Sequence, residues 1–174
     1  VVATGVVPFN PDIPGLEKAR VFRAEEVIEG RVEVGRRVVV IGGELVGCET
    51  AELLASQGKE VTVTRRGPQM ALKLVPAPTR RNMLERLATL GVTLLPGVRY
   101  EEVTRQGLVV TTPEGNRRTL EADTIVLATG AAPNARLAAA LEGKGYEVYL
   151  AGDCRGPEGI PQAIHDGARI GRAI

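Results

Sequence analysis

A glycine-rich turn directly after an apolar run is the feature of this sequence with the clearest chemical meaning. The apolar run covers residues 38–41, and the next six residues are Gly42, Gly43, Glu44, Leu45, Val46 and Gly47. A continuous Val/Ile run is typical of a parallel strand buried on both faces, and glycines at 42 and 47 allow a tight turn and close packing of a helix on that strand. The N–H groups that begin the helix are free to bind an anion. We therefore predict a dinucleotide site with the pyrophosphate at the helix N-terminus.

Glu44 departs from the pattern Gly-x-Gly-x-x-Gly, because it stands at the second glycine. At this position the backbone normally approaches the pyrophosphate closely. A side chain there crowds the ligand, and a carboxylate repels it. The alternative interpretation is structural: Glu44 points to solvent and interacts favourably with the helix N-terminus, and the strand and helix bind nothing.

Arg65 bears on which nucleotide is bound, because it follows a second predicted strand at residues 60–64. An acidic residue at this place binds a ribose 2′-hydroxyl and favours NAD, whereas an arginine accommodates the 2′-phosphate of NADP. Arg65 therefore favours NADPH, with assistance from Arg66, and NADH stays an alternative cofactor. A solvated charge pair is the structural alternative for Arg65.

The surrounding pattern predicts an α/β protein whose elements position this turn. Predicted helices cover residues 24–29, 49–57, 78–90 and 162–174, and predicted strands of the buried parallel type cover 38–41, 60–64, 92–95, 124–128 and 148–151. Short strands over 99–103, 107–112 and 117–120 predict a three-stranded antiparallel meander inserted into the parallel sheet, with a turn at residues 113–116. Residues 1–5 are predicted to be the end of a buried strand that runs into a turn, and a connector containing Pro8, Pro11 and Pro14 follows.

Composition narrows the class of protein and of partner. The 174 residues carry 22 basic and 21 acidic side chains, a net charge of +1, which gives no reason to expect nucleic acid or an anionic membrane as a partner. We find no stretch of about 20 apolar residues and no leader, so a soluble cytoplasmic protein is expected.

Cys48 and Cys154 are too few and too isolated for a disulfide framework, a zinc site or an iron–sulfur cluster, and both are predicted to be buried thiols. A core strand at Val1 suggests a fragment of a longer polypeptide.

The tail places one carboxylate where ligands of parallel sheets bind. Asp153 follows the predicted strand at 148–151, and the carboxyl ends of parallel strands face the binding crevice. Asp153 is therefore a candidate for binding a sugar hydroxyl. Its alternative role is to accept hydrogen bonds from N–H groups of a turn or a helix start.

Four ordered segments resemble one protein family and together span nearly the whole chain. They are residues 3–5 with 13–15, residues 40–51, residues 125–130 with 133–134, and residues 151–154 with 163–167. The chain resembles flavoprotein reductases of the glutathione reductase type, and more closely the carboxyl-terminal part of the 2,4-dienoyl-CoA reductase, trimethylamine dehydrogenase and NADH:flavin oxidoreductase family. The resemblance implies a Rossmann-like three-layer FAD/NAD(P)-binding fold.

The same resemblance implies a division into nucleotide-binding parts. Residues 34–133 correspond to an inserted NAD(P)H-binding domain, and residues 1–33 with 134–174 to part of an FAD- or ADP-binding domain. FAD would be shared with an upstream part, which carries that domain's own glycine motif. FMN and an iron–sulfur cluster would belong to the parent protein outside this chain, whose partners would be nucleotide cofactors and the remaining domains of the polypeptide.

Individual roles follow from the resemblance for the nucleotide in the inserted domain. The three glycines 42, 43 and 47, with the N–H groups of Leu45 and Val46, would hold the pyrophosphate of NAD(P)H. Glu49 would lie near the nicotinamide, an ordinary first-turn glutamate being the alternative. Thr129 and Gly130 would line the same nucleotide.

The resemblance also implies roles around the second cofactor. Gly152 and Asp153 would lie at its ribityl or ribose, and the helix predicted from Gln162 would direct its N-terminus towards it. His165, the sole histidine, would lie near this cofactor or serve a structural role.

The function implied is hydride delivery from NAD(P)H to a flavin, in a fragment that does not turn over alone. Such a transfer depends on positioning of cofactors, in agreement with the absence of any expected catalytic side chain or metal ligand. The alternative is a non-catalytic or ADP-binding structural domain of a larger flavoprotein dehydrogenase, which Glu44 favours. A disulfide reductase is disfavoured because the sequence has no pair of redox cysteines.

Overall fold

The computed structural model describes residues 1–74 and 76–174 and divides them into two compact units. The larger unit is Asn10–Thr129, and the smaller unit combines Val1–Phe9 with Gly130–Ile174. Within the described residues, no helix combines the length and the apolar character needed to cross a membrane.

Ten strands and five α-helices are found among the described residues of the two units. The strands are β1 (Val6–Pro8), β2 (Val21–Arg23), β3 (Arg37–Ile41), β4 (Glu60–Thr64), β5 (Thr93–Leu95), β6 (Arg99–Thr104), β7 (Gly107–Thr111), β8 (Arg117–Glu121), β9 (Thr124–Leu127) and β10 (Ala131–Pro133). The helices are α1 (Ala24–Ile28), α2 (Leu45–Ser56), α3 (Ala77–Thr89), α4 (Arg136–Leu141) and α5 (Ile160–Ile170), and short 3-10 turns lie at Leu16–Lys18 and Gly152–Cys154.

A five-stranded parallel sheet forms the centre of the larger unit, in the order β2-β9-β3-β4-β5. In β3, Val38 and Val40 pack with buried residues of α1, α2 and α3, whereas Val39 and Ile41 pack against the opposite side. Both faces of the strand are therefore covered, which is why its sequence is continuously apolar.

The antiparallel strands cover the second face of this sheet. Strands β6, β7 and β8 form a sheet of their own, and its buried residues Val103, Leu108 and Val110 join Val39 and Ile41 in one core cluster. The turn between β7 and β8 is closed by a hydrogen bond from the Thr112 N–H to the Asn116 carbonyl. The predicted α/β class, with its parallel sheet, helices and three-stranded meander, is confirmed as three layers.

The smaller unit departs from the sequence-based expectations in three places. The strand end predicted at residues 1–5 and the strand predicted at 148–151 are reduced to a single parallel bridge between Val2 and Leu150. Gly5 and Gly152 have φ of +66° and +69°, and these turns direct the chain away on either side of the bridge. The helix predicted to run to residue 174 ends at Ile170, with Gly171 as its C-cap.

Short elements account for what sequence patterns missed. Strands β1 and β10 pair antiparallel with each other, and β2 pairs with β9 in the parallel sheet. Strands β1, β2 and β10 have three residues each, too few to show a period. Because β2 pairs with β9, residues from Asn10 onwards belong to the larger unit, whereas the assignment of 34–133 to NAD(P)H and of the flanking segments to FAD or ADP stays a prediction.

Gly47 offers a test of how the sheet and α2 pack. A Cβ at Gly47 would lie 1.8 Å from the Gly42 carbonyl oxygen, so Gly47→Ala must displace either the turn or the helix. We expect Gly47→Ala to lower the free energy of unfolding by about 1–3 kcal/mol in urea titrations. Gly167→Ala is the matched control, because a Cβ there meets nothing within 4 Å, and it should be neutral or stabilising by up to about 1 kcal/mol. Equal effects of the two substitutions would contradict the packing role of Gly47.

Candidate functional site

The turn between β3 and α2 is shaped by contacts that exclude side chains. Gly42 has φ of +123°, and a Cβ there would lie 2.1 Å from the carbonyl oxygen of Ala128, just beyond the end of β9. A Cβ on Gly43 would lie 2.3 Å from the Met70 sulfur, and Gly47 lies against the Gly42 carbonyl. Each glycine of the motif therefore has a structural reason to be glycine. The same contacts bring β3, β9 and α2 together at the carboxyl edge of the sheet.

The N-terminus of α2 is open at this edge. The helix begins at Leu45, and Leu45 and Val46 are both exposed. Their N–H groups belong to the first turn, where no intrahelical carbonyl is available. Glu44 is the N-cap residue, but its side chain makes no capping hydrogen bond. The turn and the helix start thus have the geometry that suits a pyrophosphate.

Glu44 is directed towards Arg65. Its carboxylate forms an ion pair with the guanidinium, and its second oxygen accepts a hydrogen bond of 3.0 Å from the Lys73 N–H. The side chains are only partly exposed, at 31% for Glu44 and 19% for Arg65. The interpretation that Glu44 points to solvent is therefore wrong. A charge pair, considered as the alternative role of Arg65, is present and is partly shielded from water.

The segment after β4 folds over the glycine turn and confines this ion pair. The Ala71 N–H donates to the Gly43 carbonyl at 2.6 Å, and the Arg65 guanidinium also donates to the Gln69 carbonyl. Met70 and Ala71 are buried, and Ala71 has φ of +50°, the one positive φ outside glycine among the described residues. Residues 69–73, here called the covering segment, thus hold Arg65 at the carboxyl edge of the sheet.

Arg66 points to a different neighbour. Its guanidinium lies 5.9 Å from the centre of the Tyr100 ring, whose hydroxyl is 3.3 Å from the Thr64 hydroxyl. Burial raises the pKa of Tyr100, so the phenol stays neutral. Arg66 is exposed, and its assistance to Arg65 in binding a phosphate stays a prediction.

Cys48 and Glu49 lie one turn into α2. Cys48 is fully buried, with its sulfur 3.9 Å from the Gly43 carbonyl. The pKa of Cys48 is raised to about 11, chiefly by burial; the negative charges of Glu44 and Glu49 contribute to the rise, and the positive charge of Arg65 opposes it. This thiol is therefore neutral and unreactive at ordinary pH, as predicted for a buried cysteine. Glu49 is exposed, and its place near a nicotinamide stays a prediction.

Thr129 and Gly130 mark the point where the chain passes from one unit to the other. Thr129 is partly buried at the end of the larger unit, whereas Gly130 opens the second segment of the smaller unit. Gly130 has φ of +84°, and its carbonyl accepts a hydrogen bond of 3.1 Å from the Phe9 N–H. The proposed contact of these two residues with one nucleotide stays a prediction.

An open cleft of about 320 Å³ in the smaller unit includes Gly152 and Asp153. Its walls also contain Gly5, Gly159 and Ile160, so that the 3-10 turn faces the start of α5. One Asp153 oxygen accepts a hydrogen bond of 3.4 Å from the Gly159 N–H, and Gly159 is the N-cap residue of α5. Asp153 thus has the structural role considered for it, and its binding of a sugar hydroxyl stays a prediction.

Asp166 is a residue that the sequence analysis missed. Its side chain is only 1% exposed, yet it forms an ion pair of 2.6 Å with Arg155 and accepts a 3.2 Å hydrogen bond from the Gly152 N–H. Burial favours the neutral acid, but the Gly152 hydrogen bond and the Arg155 charge outweigh it and hold the pKa of Asp166 below its ordinary value. Asp166 therefore fixes the turn that carries Asp153. Its neighbour His165 is exposed.

Among the described residues, the other polar side chains form neither a metal site nor a pair of neighbouring thiols. Within residues 1–74 and 76–174, no group of three or more His, Cys, Asp or Glu side chains could hold a metal ion. Cys48 and Cys154 are both free and buried, and they belong to different units.

The family of the chain follows from a family model that matches residues 1–167 and describes pyridine nucleotide-disulphide oxidoreductases. This chain belongs to that family. An NADH oxidase of Thermoanaerobacter brockii is 35% identical over 175 residues, which cover 98% of this chain and 27% of the relative. These findings agree with the resemblance to flavoprotein reductases, and the narrower 2,4-dienoyl-CoA reductase family stays a prediction.

Solved structures support the fold of this chain. A 2-naphthoyl-CoA reductase in complex with 2-naphthoyl-CoA has a TM-score of 0.89 and 36% identity, covering 99% of this chain and 26% of that protein. An engineered water-forming NADPH oxidase bound to NADPH has a TM-score of 0.63 and 29% identity, covering 82% of this chain and 32% of that protein. The predicted Rossmann-like FAD/NAD(P)-binding fold is thereby confirmed. The chain spans about a quarter of the length of the NADH oxidase and of the 2-naphthoyl-CoA reductase.

The raised pKa of Cys48 predicts how stability depends on alkaline pH. The unfolded thiol, with an ordinary pKa of 9.0, loses its proton before the folded one, whose pKa is about 11. The contribution of the neutral thiol is therefore complete below pH 9 and is lost as pH rises towards 11. In urea titrations, the free energy of unfolding of wild type should fall by about 2 kcal/mol more than that of Cys48→Ala across this pH range. The stability of Cys154→Ala, which retains Cys48, should fall with pH as that of wild type does. Parallel curves of unfolding free energy against pH for wild type and Cys48→Ala would disprove the raised pKa of Cys48.

The lowered pKa of Asp166 predicts the opposite dependence in acid. Its ionised form contributes stability above the ordinary pKa of 3.8, and this contribution is lost as pH falls through the lower pKa of the folded state. We expect Asp166→Asn to lower the thermal unfolding midpoint at neutral pH, with the difference from wild type shrinking below about pH 4. Glu158→Gln removes a charge from an exposed side chain of the same unit and should leave the midpoint unchanged. A pH-independent difference for Asp166→Asn would mean that its charge is not the stabilising property.

Proposed function

We propose that this chain is the NAD(P)H-binding portion of a flavin-dependent oxidoreductase and delivers hydride from NAD(P)H to a flavin. The observation that carries the proposal is the open N-terminus of α2 at the carboxyl edge of the parallel sheet, beside a glycine turn that admits no side chain at Gly42 or Gly47. The names of an NADH oxidase and of an NADPH oxidase bound to NADPH among similar proteins support this choice of nucleotide.

The residues of the larger unit have separate tasks in this proposal. The N–H groups of Leu45 and Val46 bind the pyrophosphate, and Arg65, beyond β4, contacts the adenosine end. Glu49 lies towards the nicotinamide, and Thr129 lines the nucleotide. When bound, the nicotinamide supplies the hydride, and the protein contributes its position and its shielding from water.

The smaller unit is proposed to contribute to an FAD or ADP site. Gly152 and Asp153 line its cleft, and Gly130 carries the backbone between the two nucleotide-binding parts. The complete flavin site requires residues outside this chain. We further propose that the parent protein belongs to the 2,4-dienoyl-CoA reductase, trimethylamine dehydrogenase and NADH:flavin oxidoreductase branch, and that its other domains are the partners of this chain.

A second candidate is a non-catalytic domain that binds ADP or serves assembly. One observation favours it: the Arg65 guanidinium already has a carboxylate partner, Glu44, which stands at the glycine position nearest a pyrophosphate. A domain that has lost its role in reduction has no need to keep either group available.

Calorimetric titration of the chain with NADPH, NADH and ADP tests the proposal. We expect both dinucleotides to bind, and Arg65→Ala to weaken NADPH by roughly tenfold or more, because it removes hydrogen bonds to a charged phosphate. NADH, which lacks that phosphate, should change by less than about threefold.

Arg118→Ala is the matched control, because it removes one positive charge from an exposed position on β8. It should leave both affinities unchanged. Binding of ADP alone, or of no nucleotide, would favour the second candidate. An equal loss of NADPH and NADH affinity in Arg65→Ala would contradict the assignment of Arg65 to the 2′-phosphate.

A further inference from the structure

Glu44 and Arg65 are neighbours because of the sheet register. Ile41 pairs with Thr64 in the parallel strands β3 and β4, and each strand is followed at the same edge by a turn. The turn after β3 contains Glu44, and the one after β4 begins with Arg65. A side chain from the glycine turn and a side chain beyond the next strand are thus directed into one small region.

That region is built as an anion site. The Arg65 side chain lies between Gly43 and Gly67, where a Cβ would come within 3.1 Å and 3.0 Å of its atoms. The covering segment adds the Lys73 N–H as a second donor at 3.0 Å. The anion that these donors bind in the structure is the carboxylate of Glu44, whose side chain is 31% exposed.

A phosphate at this place would need the same donors. The 2′-phosphate of NADPH carries a charge of about −1.5 to −2 at neutral pH, whereas the 2′-hydroxyl of NADH is neutral and can donate a hydrogen bond to a carboxylate. The Glu44 carboxylate competes with the phosphate for Arg65 and repels it directly. The carboxylate neither repels the neutral 2′-hydroxyl of NADH nor competes with it for Arg65.

Resting on the proposed function, we propose that Glu44 determines nucleotide selectivity. By occupying the Arg65 guanidinium and the Lys73 N–H, its carboxylate lowers the affinity for NADPH relative to NADH. Arg65 alone predicts a preference for NADPH. That preference is reduced here, because the arginine can bind a 2′-phosphate only when it releases its carboxylate partner.

Glu44→Gln is the decisive variant, because the amide keeps the size of the side chain and an oxygen acceptor for Lys73 but removes the negative charge. We expect calorimetry to show NADPH affinity rising by roughly tenfold and NADH affinity changing by less than about threefold. In an Arg65→Ala background the same substitution should raise NADPH affinity by less than it does in wild type, because only the direct repulsion of the phosphate is then relieved and the guanidinium it would release is gone. Glu17→Gln, at an exposed position of the same unit, controls for the change of net charge.

The outcomes separate the inference from the proposal on which it rests. If wild type and Glu44→Gln, both shown to be folded by circular dichroism, bind neither dinucleotide, the proposed function fails. If both dinucleotides bind and their affinity ratio is unchanged in Glu44→Gln, the inference fails while the proposed function stands. An equal gain for NADPH and NADH would assign Glu44 to repulsion of the pyrophosphate and would also overturn the inference. If the amide variant does not fold, Glu44→Gly replaces it with the ratio of NADPH to NADH affinity as the readout, because relief of crowding at the pyrophosphate, which both dinucleotides share, leaves that ratio unchanged.

Discussion

The close approach of three backbone segments at the carboxyl edge of the parallel sheet is the constraint on which the larger unit depends. The Gly42 carbonyl meets the start of α2 at Gly47, and the carbonyl of Ala128 meets Gly42, so that neither glycine has room for a Cβ. This packing sets the angle at which α2 leaves the sheet and exposes its first turn. The open helix N-terminus, where we propose that the pyrophosphate binds, is therefore a consequence of how strand and helix are packed, and the same glycines serve both the packing and the proposed site.

Beside the glycine turn, the structure is held by electrostatic contacts. Arg65 holds the Glu44 carboxylate, the covering segment donates the Lys73 N–H, and Ala71 bonds to the carbonyl of Gly43. An ion pair with little exposure is less screened by salt than a surface pair, and breaking it leaves a shielded charge without its partner. Any anion that binds at this edge must therefore compete with a group already present. In the proposed nucleotide site, affinity for an anion depends on that competition as well as on the donors.

The smaller unit uses a related device for a different turn. Asp166, almost completely buried in α5, reaches back to the Gly152 N–H and to Arg155, and thereby connects the helix to the 3-10 turn that carries Asp153. A buried carboxylate is stable only when it is paired and hydrogen-bonded, and these contacts satisfy that condition. Asp153, which lies at the cleft, is thus held in place by Asp166, whose own carboxylate is buried. In both units, a charged side chain with little exposure fixes a turn that we propose to face a ligand.

Local sequence determined the elements with a clear period and clear end signals. The run at 38–41, the strand at 60–64, the helix near 78–90 and the meander turn at 113–116 all appear within a few residues of their predicted places, because each carries its own apolar spacing and its own glycine or turn residue. The glycine turn and the buried state of Cys48 also followed from the sequence. The three-residue strands β1, β2 and β10 carried no such signal, and the expected strand at 148–151 was reduced to one bridge. Only the tertiary structure decided that Glu44 faces Arg65 and that Asp166 supports Asp153, because these pairs are separated by 21 and 13 residues and meet through sheet register and helix packing, which no local pattern encodes.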